Sequence, residues 1–201
     1  MGLDCSYQAM PITSKIIEKA SQCPDFSEDI FYPTIAFMKN IENAYYFKED
    51  EFSIVRELFR DYPDIKNLSF NPTSRMQNAL IYTLDPKSYL NSNGYKELKE
   101  TLPYKIIKGE SVFSEHLKTT QGLFVRVSSP DFVAKCAVFF KNFDIIELEN
   151  NFNLDEMDNM NIYKVGLDTN FEAIKKYFLN LSFFYQKVAS YGNLSVFVVE
   201  D

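Results

Sequence analysis

Few side chains in this sequence could do chemistry, and the only histidine is the first of them to consider. His116 lies in the polar stretch SEHLKTT, with Glu110 and Glu115 nearby in the sequence. Any catalytic triad or metal site that needs an imidazole would have to use it. A lone loop histidine is usually only solvated, so His116 enters as a candidate ligand-binding residue and no more.

Arg126 carries a stronger pattern, because it interrupts an apolar segment, LFVRV, just before a helix is expected to begin. A buried arginine needs a carboxylate or several carbonyl oxygens as partners. It could instead bind an anionic ligand, since open α/β sheets place ligands at the carboxyl ends of strands. Tyr163 has a similar pair of interpretations, as a core side chain or as a pocket wall. The structural interpretation is favoured for Arg126, and a ligand pocket near Arg126 and Tyr163 is the alternative.

Six acidic residues fall between positions 144 and 158, with no lysine or arginine among them. An EF-hand calcium loop fails here, because a loop starting at Asp155 has Met157 third and Met160 sixth. The segment predicts a solvated acidic face, and the functional alternative is a surface that meets a basic protein partner. Besides Asp144, the residues of this predicted acidic patch are Glu147, Glu149, Asp155, Glu156 and Asp158.

Other chemistry finds no support in the residue types and their spacing. The three cysteines, Cys5, Cys23 and Cys136, are scattered, show no paired metal-ligand spacing and fit a reducing compartment. Neither a phosphate-binding glycine loop nor a G-x-S-x-G nucleophile turn occurs. We therefore expect no cofactor and no metal, and the sequence indicates no catalytic site.

Composition limits the partners further. The net charge of −7 and the pI near 4.9 argue against nucleic acid, which needs a basic face. No apolar run approaches the roughly 20 residues that span a bilayer. The opening MGLDCSYQAM also lacks the positive region of a signal peptide. These features predict a cytoplasmic protein without a membrane partner, and they do not indicate an oligomeric state.

The elements that must position these residues are clearest in the last third of the chain. Residues 123–127 predict a strand, followed by a helix with Ser129 as its N-cap. Thr169 is expected to cap a long amphipathic helix, and Gly192 to end it in a left-handed conformation. Residues 194–199 are almost continuously apolar, which is typical of a central strand covered on both faces.

The earlier part of the chain gives weaker patterns. Residues 3–10 predict a first strand, and Thr13 is expected to cap the helix that follows. Residues 23–33 read as a loop with prolines at both ends, residues 72–84 as an amphipathic helix and residues 104–107 as a brief strand. Together the patterns predict an α/β fold, a three-layer, sandwich-like single domain over the whole chain with a mixed sheet covered by helices.

Several segments share the pattern of one family. They are the opening with Met1, Gly2 and Tyr7, the helix SRMQNALIYTL, the loop KIIKGE, Val125-Arg126 before Ser129-Pro130, and the long helix from Asn170 to Tyr185. Over nearly all of its length the chain thus resembles the YfbM-like family of bacterial proteins, a domain of unknown function. The resemblance implies a three-layer α/β fold and implies no activity.

The sequence departs from that family's pattern in its aromatic residues. It contains no tryptophan, and residues 163–167 read YKVGL where relatives commonly have Tyr-Pro-x-x-Trp. Met76 and Ile81 stand where the family's middle helix has tryptophan and histidine. The first functional hypothesis is a non-enzymatic protein that binds a protein partner through its acidic surface. The alternative is a small-molecule-binding protein or an enzyme with a pocket near Arg126 and Tyr163.

Overall fold

The computed structural model describes residues 5–38, 55–72, 74–91, 95–119, 121–162, 165 and 169–200. Its strands are β1 Cys5–Met10, β2 Ser69–Phe70, β3 Ser111–Val112, β4 Arg126–Ser128 and β5 Ser195–Glu200. The α-helices with described bounds are α1 Ser14–Gln22, α2 Pro24–Met38, α3 Ser74–Leu84, α4 Pro86–Asn91, α5 Tyr95–Leu98, α6 Leu102–Lys108, α7 Pro130–Asn142, α8 Ile145–Asn151, α9 Leu154–Asn159 and α10 Phe171–Ala189. A 3-10 helix spans Pro63–Asn67.

The described strands form one sheet in the order β2-β1-β5-β4-β3. The apolar strand β5 therefore lies in the centre, as its sequence predicts, and it pairs with β1 from Cys5–Glu200 to Met10–Ser195. Every described strand pair is antiparallel. The α/β class is confirmed, whereas the mixed sheet that the sequence analysis predicts is wrong for these strands.

The connection from β4 to β5 explains the antiparallel pairing. Phe140 of α7 contacts both Phe178 and Tyr185 of α10. Phe143, which follows the last residue of α7, contacts Phe178, the earlier of these two residues. The two long helices therefore run antiparallel to each other. Each reverses the chain direction once, so β5 returns opposite to β4. A single crossover helix would instead have made the two strands parallel.

Helices cover both faces of the sheet. On one face Tyr7 of β1 packs against Phe184 and Tyr185 of α10. Residues next to each other on a strand point to opposite faces, and on the second face Phe197 of β5 contacts Phe31 of α2. The sheet is thus the middle of three layers, with α1 and α2 on one side and α3, α7 and α10 on the other. Among the described residues, no helix combines the length and apolarity that a bilayer span requires.

Two segments have structures that differ from their predictions. Residues 24–38 form a helix, not a loop, although Pro33 lies inside it. Pro24 stands at the first helical position, where its missing N–H costs little, and the burial of Ile30 and Phe31 offsets the bond that Pro33 cannot make. Residues 104–107 belong to helix α6 and not to a strand, because the Thr101 hydroxyl accepts from the Tyr104 N–H and caps the helix.

The predicted cap residues have mixed outcomes. Thr13 and Ser129 cap α1 and α7 as expected, each accepting from the backbone N–H three residues later. Gly192 has the predicted positive φ of 83° after α10. The cap of α10 is Asn170 and not Thr169: its side chain accepts from the Ala173 N–H, and Thr169 is buried.

Candidate functional site

Arg126 is held by the protein's own backbone. Its Nε and Nη2 donate to the Gly109 carbonyl at 3.2 and 2.9 Å, and Nη2 lies 3.5 Å from the Glu110 carbonyl. The guanidinium carbon also lies 5.5 Å from the centre of the Tyr104 ring, a cation–π distance. Carbonyl oxygens and an aromatic face thus surround this half-buried charge. This arrangement favours the structural interpretation, and a ligand role for Arg126 stays a prediction.

The loop after α6 brings a second charge to the same region. Glu110 Oε2 accepts from the Ser129 N–H at 3.1 Å and from the Ser129 hydroxyl at 2.7 Å. The carboxylate therefore lies at the N-terminus of α7, where the helix dipole favours a negative charge. Gly109, between this residue and α6, has a φ of 95°, a conformation that L side chains rarely adopt.

The other two predicted ligand residues are His116 and Tyr163, and the structure describes no contact of either with Arg126. The imidazole of His116 is exposed, and its backbone N–H donates to Ser114 Oγ at 3.3 Å. Tyr163 lies outside the described residues. The pocket of these three side chains therefore stays a prediction.

A buried polar cluster that the sequence analysis misses lies between the sheet and the helices. The Lys108 ammonium, at the end of α6, donates to Gln77 Oε1 at 2.6 Å and forms an ion pair with Glu200 of β5. Only 7% of the Lys108 side chain and 21% of the Glu200 side chain are exposed. Charges withdrawn from water in this way depend on each other, because either one alone would be buried without compensation.

Tyr7 extends the cluster toward α10. Its hydroxyl donates to the Ile107 carbonyl, so Gln77 Nε2 at 2.9 Å and the Tyr177 hydroxyl at 3.0 Å donate to the Tyr7 oxygen. The amide of Gln77 also approaches Cys5 Sγ at 2.8 Å. These side chains meet partners inside the protein and connect β1, α3, α6 and α10, which is what a structural cluster requires.

Burial keeps the cluster's titratable hydroxyls and thiol in their neutral forms. It raises the pKa of Tyr7 and of Tyr177 well above the ordinary tyrosine value. Burial, followed by the nearby charge of Glu200, likewise raises the pKa of the Cys5 thiol. A thiol that resists ionisation is a poor nucleophile, so the geometry does not support catalysis by Cys5.

The predicted acidic patch lies on two short helices. Glu147 and Glu149 of α8 and Asp155 and Asp158 of α9 are exposed. Glu156 is only half exposed and accepts a hydrogen bond from the buried Tyr82 hydroxyl, which ties α9 to α3. Apolar side chains interrupt the acids at the surface, since Ile146 is 60% exposed and Leu154 is 37% exposed.

A groove of about 490 Å³ lies beside this patch, between α4, α6, α7 and α8. Its polar lining includes Asp85, Lys87 and Glu147, the last of which belongs to the acidic patch. Its apolar lining includes Pro86, Leu102 and Phe139, and Leu102 remains 49% exposed. We call this feature the α6–α8 groove. A lining of apolar side chains together with two acids and one lysine suits a segment that carries both apolar and basic side chains.

Two further grooves, of about 590 and 420 Å³, share Thr13 and Asn193, near the end of β1 and the start of β5. Both lie beside Thr13, which already bonds a backbone N–H at the N-terminus of α1. The smaller groove also reaches the N-terminus of α7, where Ser129 does the same. Within the described ranges, no group of three or more His, Cys, Asp and Glu side chains is placed to hold a metal ion.

Comparison with known protein families matches residues 1–198 to the family described as a domain of unknown function, DUF1877. Among solved structures, the chain is similar to YfbM from Escherichia coli, a protein of unknown function, with a TM-score of 0.54. The alignment covers 98% of this chain and 99% of that chain at 16% sequence identity. At that identity the likeness shows the fold alone. A comparison with curated proteins gave no match.

Proposed function

Because the chain belongs to the DUF1877 family, whose description assigns no activity, we propose a function from the geometry of its surface: it binds a protein partner in the α6–α8 groove. The segment it takes is basic, with an apolar face. The membership confirms the YfbM-like resemblance of the sequence. The observation that carries the proposal is that apolar Leu102 and Phe139 line the same groove as Glu147 of the acidic patch.

Three observations favour partner binding in the α6–α8 groove over a catalytic function. The groove contains exposed apolar surface, and apolar surface at the centre of a polar rim is typical of partner-binding sites. The net charge of −7 favours the approach of a basic partner. Arg126 and Lys108, by contrast, are bonded to groups of the same chain, which argues against the alternative of a small-molecule pocket around Arg126.

The proposal is tested with a synthetic amphipathic helix of lysine and leucine, labelled for fluorescence anisotropy, and with a matched peptide in which glutamate replaces lysine. We expect the full chain to bind the lysine peptide and not the glutamate peptide. We expect the affinity to fall with added salt, because exposed charges are screened.

Two variants, each with a matched control, locate the binding site. Glu147→Lys reverses one charge at the groove, and Glu28→Lys makes the same change on exposed α2, across the sheet. We expect Glu147→Lys to weaken binding by about tenfold, or roughly 1.4 kcal/mol, and Glu28→Lys to have a much smaller effect. Leu102→Ser should also weaken binding, and Val138→Ser, on exposed α7 surface outside the groove lining, should not. Equal losses at both glutamates would mean that only the net charge attracts the peptide.

A further inference from the structure

The outer face of α10 carries a surface opposite in charge to the groove. Lys176, Leu179, Phe183 and Lys187 follow one another at intervals of three and four residues, which places them on one face of the helix. Phe183 is 72% exposed and Leu179 is 51% exposed, while the opposite face of α10 packs on the sheet and α7. We call these four residues the α10 face.

Large exposed apolar side chains on a helix that already has a buried face mark a surface for a partner. The α10 face is basic at both ends, in a chain whose net charge is −7. Lys187 lies 5.5 Å from the centre of the Tyr191 ring. The face therefore has the composition that the α6–α8 groove is proposed to accept: two apolar side chains at positions i and i+4, flanked by ammonium groups.

We propose that a second copy of this chain is a partner, with the α10 face of one copy seated in the α6–α8 groove of the other. This inference rests on the proposed function. Charge decides against the simpler pairing of two α10 faces. An antiparallel pair of these helices centred on their apolar residues would bring lysines near lysines, which is repulsive. Seating the face in the groove instead brings Lys176 or Lys187 toward Glu147.

The association is weak. From Lys176 to Lys187 the face is about 16 Å long, and a strip of that length and about 10 Å in width covers roughly 160 Å². That area is well short of the roughly 800 Å² per partner that standard stable interfaces bury. The contact also joins two charged surfaces, so salt opposes it. We expect self-association in the high micromolar range that disappears when salt is added.

Sedimentation velocity on the full chain, up to roughly 500 µM at low and at high salt, measures this association. Three variant chains test the surfaces: Glu147→Lys, the double variant Lys176→Glu with Lys187→Glu, and the double variant Leu179→Ser with Phe183→Ser. Each one alone should weaken the association by about tenfold. Mixing the Glu147→Lys chain with the Lys176→Glu, Lys187→Glu chain should restore it, because an acidic helix then meets a basic groove.

The outcomes separate this inference from the proposed function. The Leu179→Ser, Phe183→Ser chain should still bind the lysine–leucine peptide, because its groove is unchanged. If the unaltered chain stays monomeric but binds the peptide, the second copy is not the partner and the proposed function stands. Association that survives Glu147→Lys, or a mixture that fails to recover it, also overturns the inference. Loss of peptide binding in every assay instead overturns the proposed function.

Discussion

At the scale of single residues, Gly109 lies between α6 and β3 and next to Arg126 of β4, in a conformation that few side chains tolerate. Its φ is 95°, and a Cβ built on it would lie 3.0 Å from Arg126 Cβ and 3.3 Å from the Val127 nitrogen. The same residue offers the carbonyl that both Arg126 donors reach. Space and dihedral angle therefore both require glycine here.

We predict that Gly109→Ala lowers the free energy of unfolding by about 3 kcal/mol, since it adds steric contact to backbone strain. Urea denaturation of the purified chain measures the change. Gly122→Ala is the matched control: its φ is 76°, but nothing lies within 4 Å of an added Cβ. Its loss should be about 1 kcal/mol, from the dihedral angle alone. Equal losses at the two glycines would show that the contact with β4 contributes nothing.

Single residues of this kind can be recognised in the sequence. Arg126 is one of them, because a charged residue in an apolar strand must find partners. The sequence does not identify Gln77, Lys108 or Tyr7. A tyrosine or glutamine within an apolar pattern reads as ordinary core, and a lysine beside a glycine reads as surface. Their meeting depends on contacts between residues 31 to 170 positions apart, such as Lys108 with Gln77 and Tyr7 with Tyr177, which local periodicity does not encode.

At the scale of elements, α10 begins one residue later than its pattern predicts. Thr169 and Asn170 are both good N-cap residues, so the sequence alone does not choose between them. Packing does, because Thr169 is buried while Asn170 is exposed and bonds the Ala173 N–H at 2.9 Å. The cap matters because α10 covers the centre of the sheet.

We predict that Asn170→Ala lowers the free energy of unfolding by about 1 kcal/mol, because the first turn of α10 loses its side-chain acceptor. Asn170→Asp should keep the stability, since its carboxylate accepts the same bond and suits the helix dipole. Thermal and urea unfolding of the two variants measure both effects. A loss in Asn170→Asp as large as in Asn170→Ala would contradict the capping role.

Elements with a clear cap or turn are predicted well, and those that depend on tertiary packing are not. Ser129 and Gly192 mark their helix ends because the physics is local. Helix α2 passes through Pro33, and α6 contains two isoleucines that read as strand. The direction of β5 depends on how α7 and α10 pack together, which no short window contains. The prediction of a single domain over residues 1–201 stays a prediction.

At the scale of the whole molecule, three tyrosine hydroxyls lie between the sheet and the helical layer. Tyr7 belongs to β1, and Tyr177 and Tyr185 belong to α10; the Tyr185 hydroxyl donates to the Ile106 carbonyl at 3.0 Å. Burial raises the pKa of all three hydroxyls well above the ordinary value. The folded protein therefore keeps protons that the unfolded chain releases near pH 10.

We predict that these hydroxyls make the free energy of unfolding depend on pH only above about pH 10. Above that value the free energy of unfolding falls as the pH rises. Each tyrosine contributes a slope of up to about 1.4 kcal/mol per pH unit, because the unfolded state then binds fewer protons than the folded state. Urea unfolding between about pH 8 and about pH 11, followed with tyrosinate absorbance, measures it. Tyr177→Phe should reduce the slope, and Tyr32→Phe, at an exposed site, should not. A flat profile would contradict the prediction.

The place of β5 also has a consequence for biosynthesis. This strand joins β1 to β4 in the sheet, although its residues, 195–200, come after the other four described strands in the chain. While the ribosome still holds those residues, the nascent chain can form only the separate pairs β1–β2 and β3–β4, each with an open edge. The sheet closes once residues 195–200 are free of the ribosome, and until then the edges of β1 and β4 need protection from pairing with other chains.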